Sequence, residues 1–223
     1  MKNLITIGLP SKGRLKDKSI AFFNNKGFKI LQSDRERNYF ATIENMPNIK
    51  IIYLHAKEII QRLGDGTLDV GISGLDLLNE SEKNLQDKIY IKHKLDFGGA
   101  NLVVAVPDDW IDVQTIADLE EVAFDIRLKR NTRLRVATKY PNLTNDFLIS
   151  KGVTQYKLIS SLGATETYPF IGSSEIITDI TSTGKTLVDN NLRVLKDGLI
   201  LKSTACLFVA KKKRVILKSF LSI

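Results

Sequence analysis

Short apolar runs punctuate the chain at Leu4 to Leu9, Ile49 to Leu54, Leu68 to Ser73, Leu102 to Val106 and Leu134 to Thr138, each of strand length. Between them the apolar spacing changes to that of a helix. In Ala56 to Leu63 the side chains of Ile59, Ile60 and Leu63 share a face, and Gly64-Asp65-Gly66 supplies a stop. Thr144 to Ser150, ended by Gly152, is a second such stretch, and Leu187 to Asn190 is a shorter third. Strands alternating with helices predict an α/β chain with mainly parallel sheets, because crossover helices must cover both sheet faces.

The pattern breaks at Asp96-Phe97-Gly98-Gly99-Ala100 and resumes in the apolar strand Leu102 to Val106, followed by Pro107-Asp108-Asp109. A crossing into a second lobe is expected there. Lobe 1 would comprise residues 1–97 plus about 190–223, and lobe 2 about 98–189. No internal repeat or low-complexity linker separates the two. A two-lobed body with its ligand site in the interlobe cleft fits this better than two independent domains.

Composition narrows the class of function. A chain of 223 residues that is 43% hydrophobic can bury a real core. Its 33 Lys and Arg against 25 Asp and Glu leave a formal charge of +8, which suits an anionic partner. Much of that excess is local, in Lys211, Lys212, Lys213, Arg214 and Lys218, where no interleaved aromatics offer base stacking. A solvated helix face or tail explains that run better than nucleic-acid binding. Cys206 is the sole cysteine, which excludes an intrachain disulfide framework, and its apolar neighbours mark it as a small buried hydrophobe. Pro10 and Lys12 interrupt the first apolar run before a secretory segment develops, and no long apolar span follows. The expectation is a cytoplasmic protein with no membrane partner. His55 and His93 show no metal-ligand spacing, so no protein-held metal is expected.

The sharpest chemical feature is Asp179-Ile180-Thr181-Ser182-Thr183-Gly184-Lys185-Thr186-Leu187, a hydroxyl-rich turn around one glycine that leads into a short helical stretch. Gly184 can take a positive φ and leave room for an oxyanion, while backbone N–H groups and the Thr183 and Thr186 hydroxyls donate to it. Gly184-Lys185-Thr186 also ends a Walker A pattern, but that pattern needs Gly where Asp179 stands. A carboxylate there suits the 2- and 3-hydroxyls of a ribose whose 5-phosphate occupies the turn. A helix N-cap without any ligand is the plain alternative.

That segment, extended back through Gly163-Ala164-Thr165-Glu166, Pro169, Gly172, Glu175, Ile176 and Ile177, resembles the phosphoribosyl pyrophosphate site of ATP phosphoribosyltransferases. Three further stretches match that family in order: Gly8-Leu9-Pro10-Ser11-Lys12-Gly13-Arg14-Leu15, Leu68 to Asp76, and Arg135-Val136-Ala137-Thr138-Lys139-Tyr140-Pro141-Asn142-Leu143. The resemblance implies a fold of the type II periplasmic-binding-protein kind. It is to the family's short form, without the appended C-terminal regulatory domain. The activity implied joins N1 of ATP to C1 of phosphoribosyl pyrophosphate and releases pyrophosphate, with Mg²⁺ carried in on the substrate phosphates. The partner implied is a regulatory subunit related to histidyl-tRNA synthetase, in a hetero-octamer built around homodimers of the short subunit.

Site roles follow from the same resemblance. Thr181, Ser182, Thr183, Gly184, Lys185 and Thr186 would hold the 5-phosphate, Asp179 the ribose hydroxyls, and Glu166 a further polar contact. Lys12 and Arg14, just past the first strand, are candidates for substrate phosphate or pyrophosphate. Arg35 is a third, although its acidic neighbours equally suit a surface ion-pair cluster and Arg37 competes for the role. Asp76 would contact a ligand hydroxyl or cap a helix. The chain departs from many relatives in having His55 where they have Arg, and Thr167-Tyr168 before Pro169. His55 would donate a hydrogen bond to the leaving group, leave the charge to Lys57, or be structural. The rival reading is a non-catalytic small-anion binding protein of the same fold.

Overall fold

The computed structural model describes residues 4–32 and 39–213. Its first elements are β1 (Ile5–Pro10), α1 (Gly13–Asn25), β2 (Ile30–Gln32), β3 (Phe40–Ile43), β4 (Met46–Leu54), α2 (Ala56–Asp65), β5 (Val70–Gly74), α3 (Leu75–Glu80), α4 (Lys83–Gln86) and β6 (Ile89–Lys94). They are followed by β7 (Ala100–Pro107), α5 (Ile116–Arg130), β8 (Leu134–Thr138), α6 (Pro141–Ser150), β9 (Tyr156–Ser160), β10 (Ile176–Thr181), α7 (Lys185–Asp189), β11 (Leu192–Ser203) and β12 (Ala205–Ala210). The chain divides into two units, one running to Gly99 and again from Thr204, the other Ala100–Ser203.

The first unit is built on a seven-stranded sheet of order β2-β3-β4-β1-β5-β12-β6. Strand β12 reads Ala-Cys-Leu-Phe-Val-Ala and is buried throughout. Its Ala205, Leu207 and Val209 join one core with Ile7, Ile51 and Phe23 of α1. Its Cys206, Phe208 and Ala210 join another with Ile59, Ile60 and Leu63 of α2. A strand apolar at every position is what a sheet covered on both faces requires. Helix α2 lies close on that sheet: a Cβ at Gly71 would come within 2.5 Å of Ile59 Cγ2, so glycine is what lets helix and strand approach.

The second unit carries a five-stranded sheet of order β11-β7-β10-β8-β9. Helix α5 buries Ile116, Leu119 and Ala123 in a core with Val104, Leu134 and Val136. It begins in a capping box in which the Asp118 carboxylate accepts from the Thr115 N–H at 2.7 Å, and those bonds hold the Asp118 carboxyl below its ordinary pKa. Val103, Ala105, Ile177 and Leu187 form the core on the opposite face.

Two expectations need correcting. The sheets are mixed rather than mainly parallel: β1 pairs parallel with β4 and β5, and β8 with β9 and β10, but β12, β7 and β11 join antiparallel. Covered faces demand apolar strands, and they do not dictate strand direction. The return crossing expected near residue 190 falls instead between Ser203 and Thr204, because β11 stays paired with β7 from Leu192 to Ser203. Among the described residues no helix is long and apolar enough to cross a membrane.

Candidate active site

Strand β10 delivers the hydroxyl-rich turn to one end of the second sheet. Asp179 is paired opposite Val103 of β7, and the strand ends at Thr181. The chain then turns through Gly184, whose φ of +76° lies in the left-handed region, into α7. A Cβ built at Gly184 meets nothing within 4 Å. The loop therefore presents backbone and open space at the position where a phosphate oxygen would come closest.

Its donors differ in part from those expected. The Gly184 N–H donates to Thr181 Oγ1 at 2.8 Å, and the Lys185 N–H to Thr183 Oγ1 at 3.4 Å. Those two amides tie the loop to itself. Thr181 and Thr183 each accept through oxygen and so keep a hydroxyl proton to donate outward. Ser182, Thr183, Lys185 and Thr186 are exposed, which leaves hydroxyls and one ammonium to meet an anion.

Asp179 is mostly buried, its side chain 13% exposed. Burial pushes its carboxyl above the ordinary pKa, and nearby Glu166 acts in the same direction. The Ile180 N–H, donating to Oδ1 at 2.8 Å, and the Lys139 ammonium at 4.0 Å act against that rise. Asp179, Lys139 and Glu166 thus form one electrostatic group at the ends of β8 and β10 and on the 3-10 turn Thr165–Thr167. Glu166, expected to add a polar contact to the same substrate, lies near enough to act on the Asp179 carboxyl. Lys139 was missed as a site residue. Its signal was its place at the end of the β8 strand inside the Arg135-to-Leu143 motif.

Beneath this group lies a sealed triangle of hydroxyls. Thr178 donates to Thr138 at 2.6 Å, and Thr144 Oγ1 stands 3.1 Å from Thr138 and 2.7 Å from Thr178. All three residues are buried, and Thr138 also accepts the Tyr140 N–H at 2.9 Å. A directed ring from Thr178 to Thr138 to Thr144 and back satisfies every hydroxyl. It locks β8, α6 and β10 together directly behind Lys139 and Asp179.

Other residues of the same motif stretch are engaged elsewhere. Glu175 accepts from the Arg135 backbone N–H at 2.6 Å and from its guanidinium Nη2 at 2.6 Å, while Arg135 Nη1 donates to the Gly172 carbonyl at 2.8 Å. The paired carboxylate raises the Arg135 pKa. Arg135, Gly172 and Glu175 thus brace the approach to β10 at the end away from the hydroxyl turn.

In the first unit, β1 ends at Pro10 and α1 begins at Gly13, which leaves Lys12 and Arg14 exposed at the turn. His55 caps α2, its Nδ1 accepting the Lys57 N–H at 3.3 Å, so the structural role weighed for it is realised. Asp76 lies in the first turn of α3 and is 6% exposed. The N-cap of that helix is Gly74, so Asp76 is not its capping residue, and its carboxylate in the first turn complements the helix dipole. Arg35 and Arg37 fall outside the described residues. Among the described residues no cluster of three or more His, Cys, Asp or Glu is placed to hold a metal ion.

The family model HisG, ATP phosphoribosyltransferase, matches residues 55–221. An ATP phosphoribosyltransferase of Brucella melitensis biotype 2 is 47% identical over 209 residues, spanning 93% of this chain and 90% of the relative. Among solved structures, the ATP phosphoribosyl transferase (HisG:HisZ) complex from Thermotoga maritima matches with a TM-score of 0.74 at 26% identity, over 98% of this chain and 96% of that chain. The substrate binding protein of an amino acid ABC transporter matches with a TM-score of 0.55 at 15% identity, over 99% of this chain and 91% of that one, a likeness of fold alone. The architecture is accordingly α/β of the type II periplasmic-binding-protein kind.

Proposed function

The chain belongs to the ATP phosphoribosyltransferase family, and we propose that it performs that family's reaction, the first step of histidine biosynthesis. The N1–C1 bond forms between the adenine of ATP and the ribose of phosphoribosyl pyrophosphate. The C1–O bond to pyrophosphate breaks, and the leaving group takes the electron pair. The observation that carries this reading is the buried Asp179 carboxylate set at the strand end just before the open Gly184 turn.

Adenine N1 brings its own lone pair, so the protein supplies no nucleophile and catalysis rests on placement and charge. Thr181 to Thr186 receive the 5-phosphate, with Lys185 and the outward hydroxyls as donors. Asp179 accepts from the ribose hydroxyls and holds C1 in position. Lys139 balances that carboxylate and faces the same substrate. Lys12 and Arg14 are proposed to meet phosphate or pyrophosphate oxygens, where charge develops as the bond breaks. Mg²⁺ is proposed to arrive on the substrate phosphates and to neutralise the departing pyrophosphate. The rival binding-protein reading rests on shared fold, which does not fix function.

The Thermotoga maritima relative is described as a HisG:HisZ complex. A regulatory subunit related to histidyl-tRNA synthetase, in a hetero-octamer around dimers of this chain, is the corresponding proposal here, in the cytoplasm. The deciding experiment incubates the protein with ATP, phosphoribosyl pyrophosphate and Mg²⁺ and follows formation of the N1-ribosylated adenine and pyrophosphate. Tight binding of both substrates without product would favour the binding-protein reading instead.

A further inference from the structure

The end of the second sheet opposite the hydroxyl turn carries a cavity of about 740 Å³, apart from the residues proposed for phosphoribosyl transfer. Strand β10 runs from Ile176 beside the cavity to Thr181 at the turn, so at ~3.3 Å per residue the two lie roughly 17 Å apart. Trp110, Ile111 and Phe170 line the cavity with apolar surface, and Ile111 and Phe170 are 74% and 56% exposed. Ser174 borders it at 2% exposure, and its hydroxyl has no hydrogen-bond partner. Its oxygen is sealed from solvent, so it belongs to the wall behind the cavity surface.

The charges around the cavity are nearly all committed. Arg135 is held by Glu175 at 2.6 Å, and Asp108 stands 3.8 Å from Arg193 Nε. Asp109 also lines the cavity, is exposed, and has no ion pair among the described residues. One free carboxylate beside an indole selects for positive charge in front of an apolar surface. We propose that this cavity is a second binding site, for a small organic cation with a flat apolar body. The cationic head meets Asp109 and the indole face, and the flat body lies between Ile111 and Phe170.

Trp110 is the chain's single tryptophan, so its fluorescence reports this site directly. The test titrates the full-length protein with 2-phenylethylamine and, in parallel, with 3-phenylpropionate, which has a similar body and the opposite charge. A saturable fluorescence change with the amine is expected, at least about tenfold weaker with the carboxylate, and weakened about tenfold by Asp109→Asn. Asp109 is exposed, so that variant should fold and keep the transferase rate. Gly184→Val should leave amine binding intact while impairing phosphoribosyl pyrophosphate binding, which separates this site from the one at the turn. A response that does not saturate, equal binding of both probes, or indifference to Asp109→Asn would overturn the proposal.

Discussion

Replacing Thr178 with Val removes one corner of the hydroxyl triangle while keeping the side chain's shape. In the ring order, Thr178 accepts from Thr144 at 2.7 Å and donates to Thr138 at 2.6 Å. Thr138 keeps the Tyr140 N–H as a donor, so the group stranded in the variant is the Thr144 proton. One stranded buried donor costs about 1–3 kcal/mol. At roughly 2–4 °C per kcal/mol for a chain of this size, a ~2 kcal/mol loss lowers Tm by about 4–8 °C. Thr144→Val strands one group as well, the Thr138 proton. The double variant also strands just that proton, so its cost should be near that of either single change, with a coupling of about 1–3 kcal/mol. Urea unfolding followed through Trp110, which lies in the same unit, measures all four proteins. Costs that add to within about 0.5 kcal/mol would refute the ring and leave three independent hydroxyls.

Gly184→Val forces a β-branched residue into the left-handed region at φ +76° and fills the open space above the turn; phosphoribosyl pyrophosphate affinity should fall by at least about tenfold, as isothermal titration would show. Burial raises the Asp179 pKa above its ordinary 3.8, so the folded chain holds that proton more tightly than the unfolded chain, and stability from this group present below pH ~4 is lost as pH rises through the folded pKa. Asp179→Asn should therefore gain stability over the wild type between about pH 4 and pH 7 in urea melts, while losing phosphoribosyl pyrophosphate affinity and sparing inorganic phosphate. Burial pushes the Cys206 thiol up to about 11, and the residue is 0% exposed, so a disulfide reagent should label it after unfolding and leave it untouched in the native state.

The parts of the fold legible in the chain were those where burial leaves a one-dimensional trace. Strands β1, β4, β5, β7 and β8 read as apolar runs, and α2 announced itself through Ile59, Ile60 and Leu63 and its glycine stop at Gly66. Strand β11 left no such trace: its twelve residues alternate irregularly and its register shifts twice against β7, so its stay in the second unit is written in pairing rather than in pattern. Strand direction was hidden for a similar reason, since β12 is as apolar as a parallel strand and yet pairs antiparallel on both sides. The hydroxyl turn and Asp179 were legible because their chemistry is contiguous. The link to Lys139 was not, because it depends on β8 and β10 lying side by side, with Thr138 opposite Thr178.

His55 shows how a local role constrains chemistry. Its Nδ1 accepts the Lys57 N–H within the helix cap. An arginine there would hold a permanent charge and could not accept that bond. With His55 in the helix cap, a permanent charge in this corner must come from exposed lysine or arginine, with Lys57, Lys12 and Arg14 available in the same unit. The same logic distinguishes a transferase from a binding protein on this fold. A binder needs charge that matches its ligand at rest. A transferase needs charge matched to a group that becomes more negative as it leaves, together with a fixed carboxylate, the role proposed for Asp179, that keeps the sugar in place while the bond breaks.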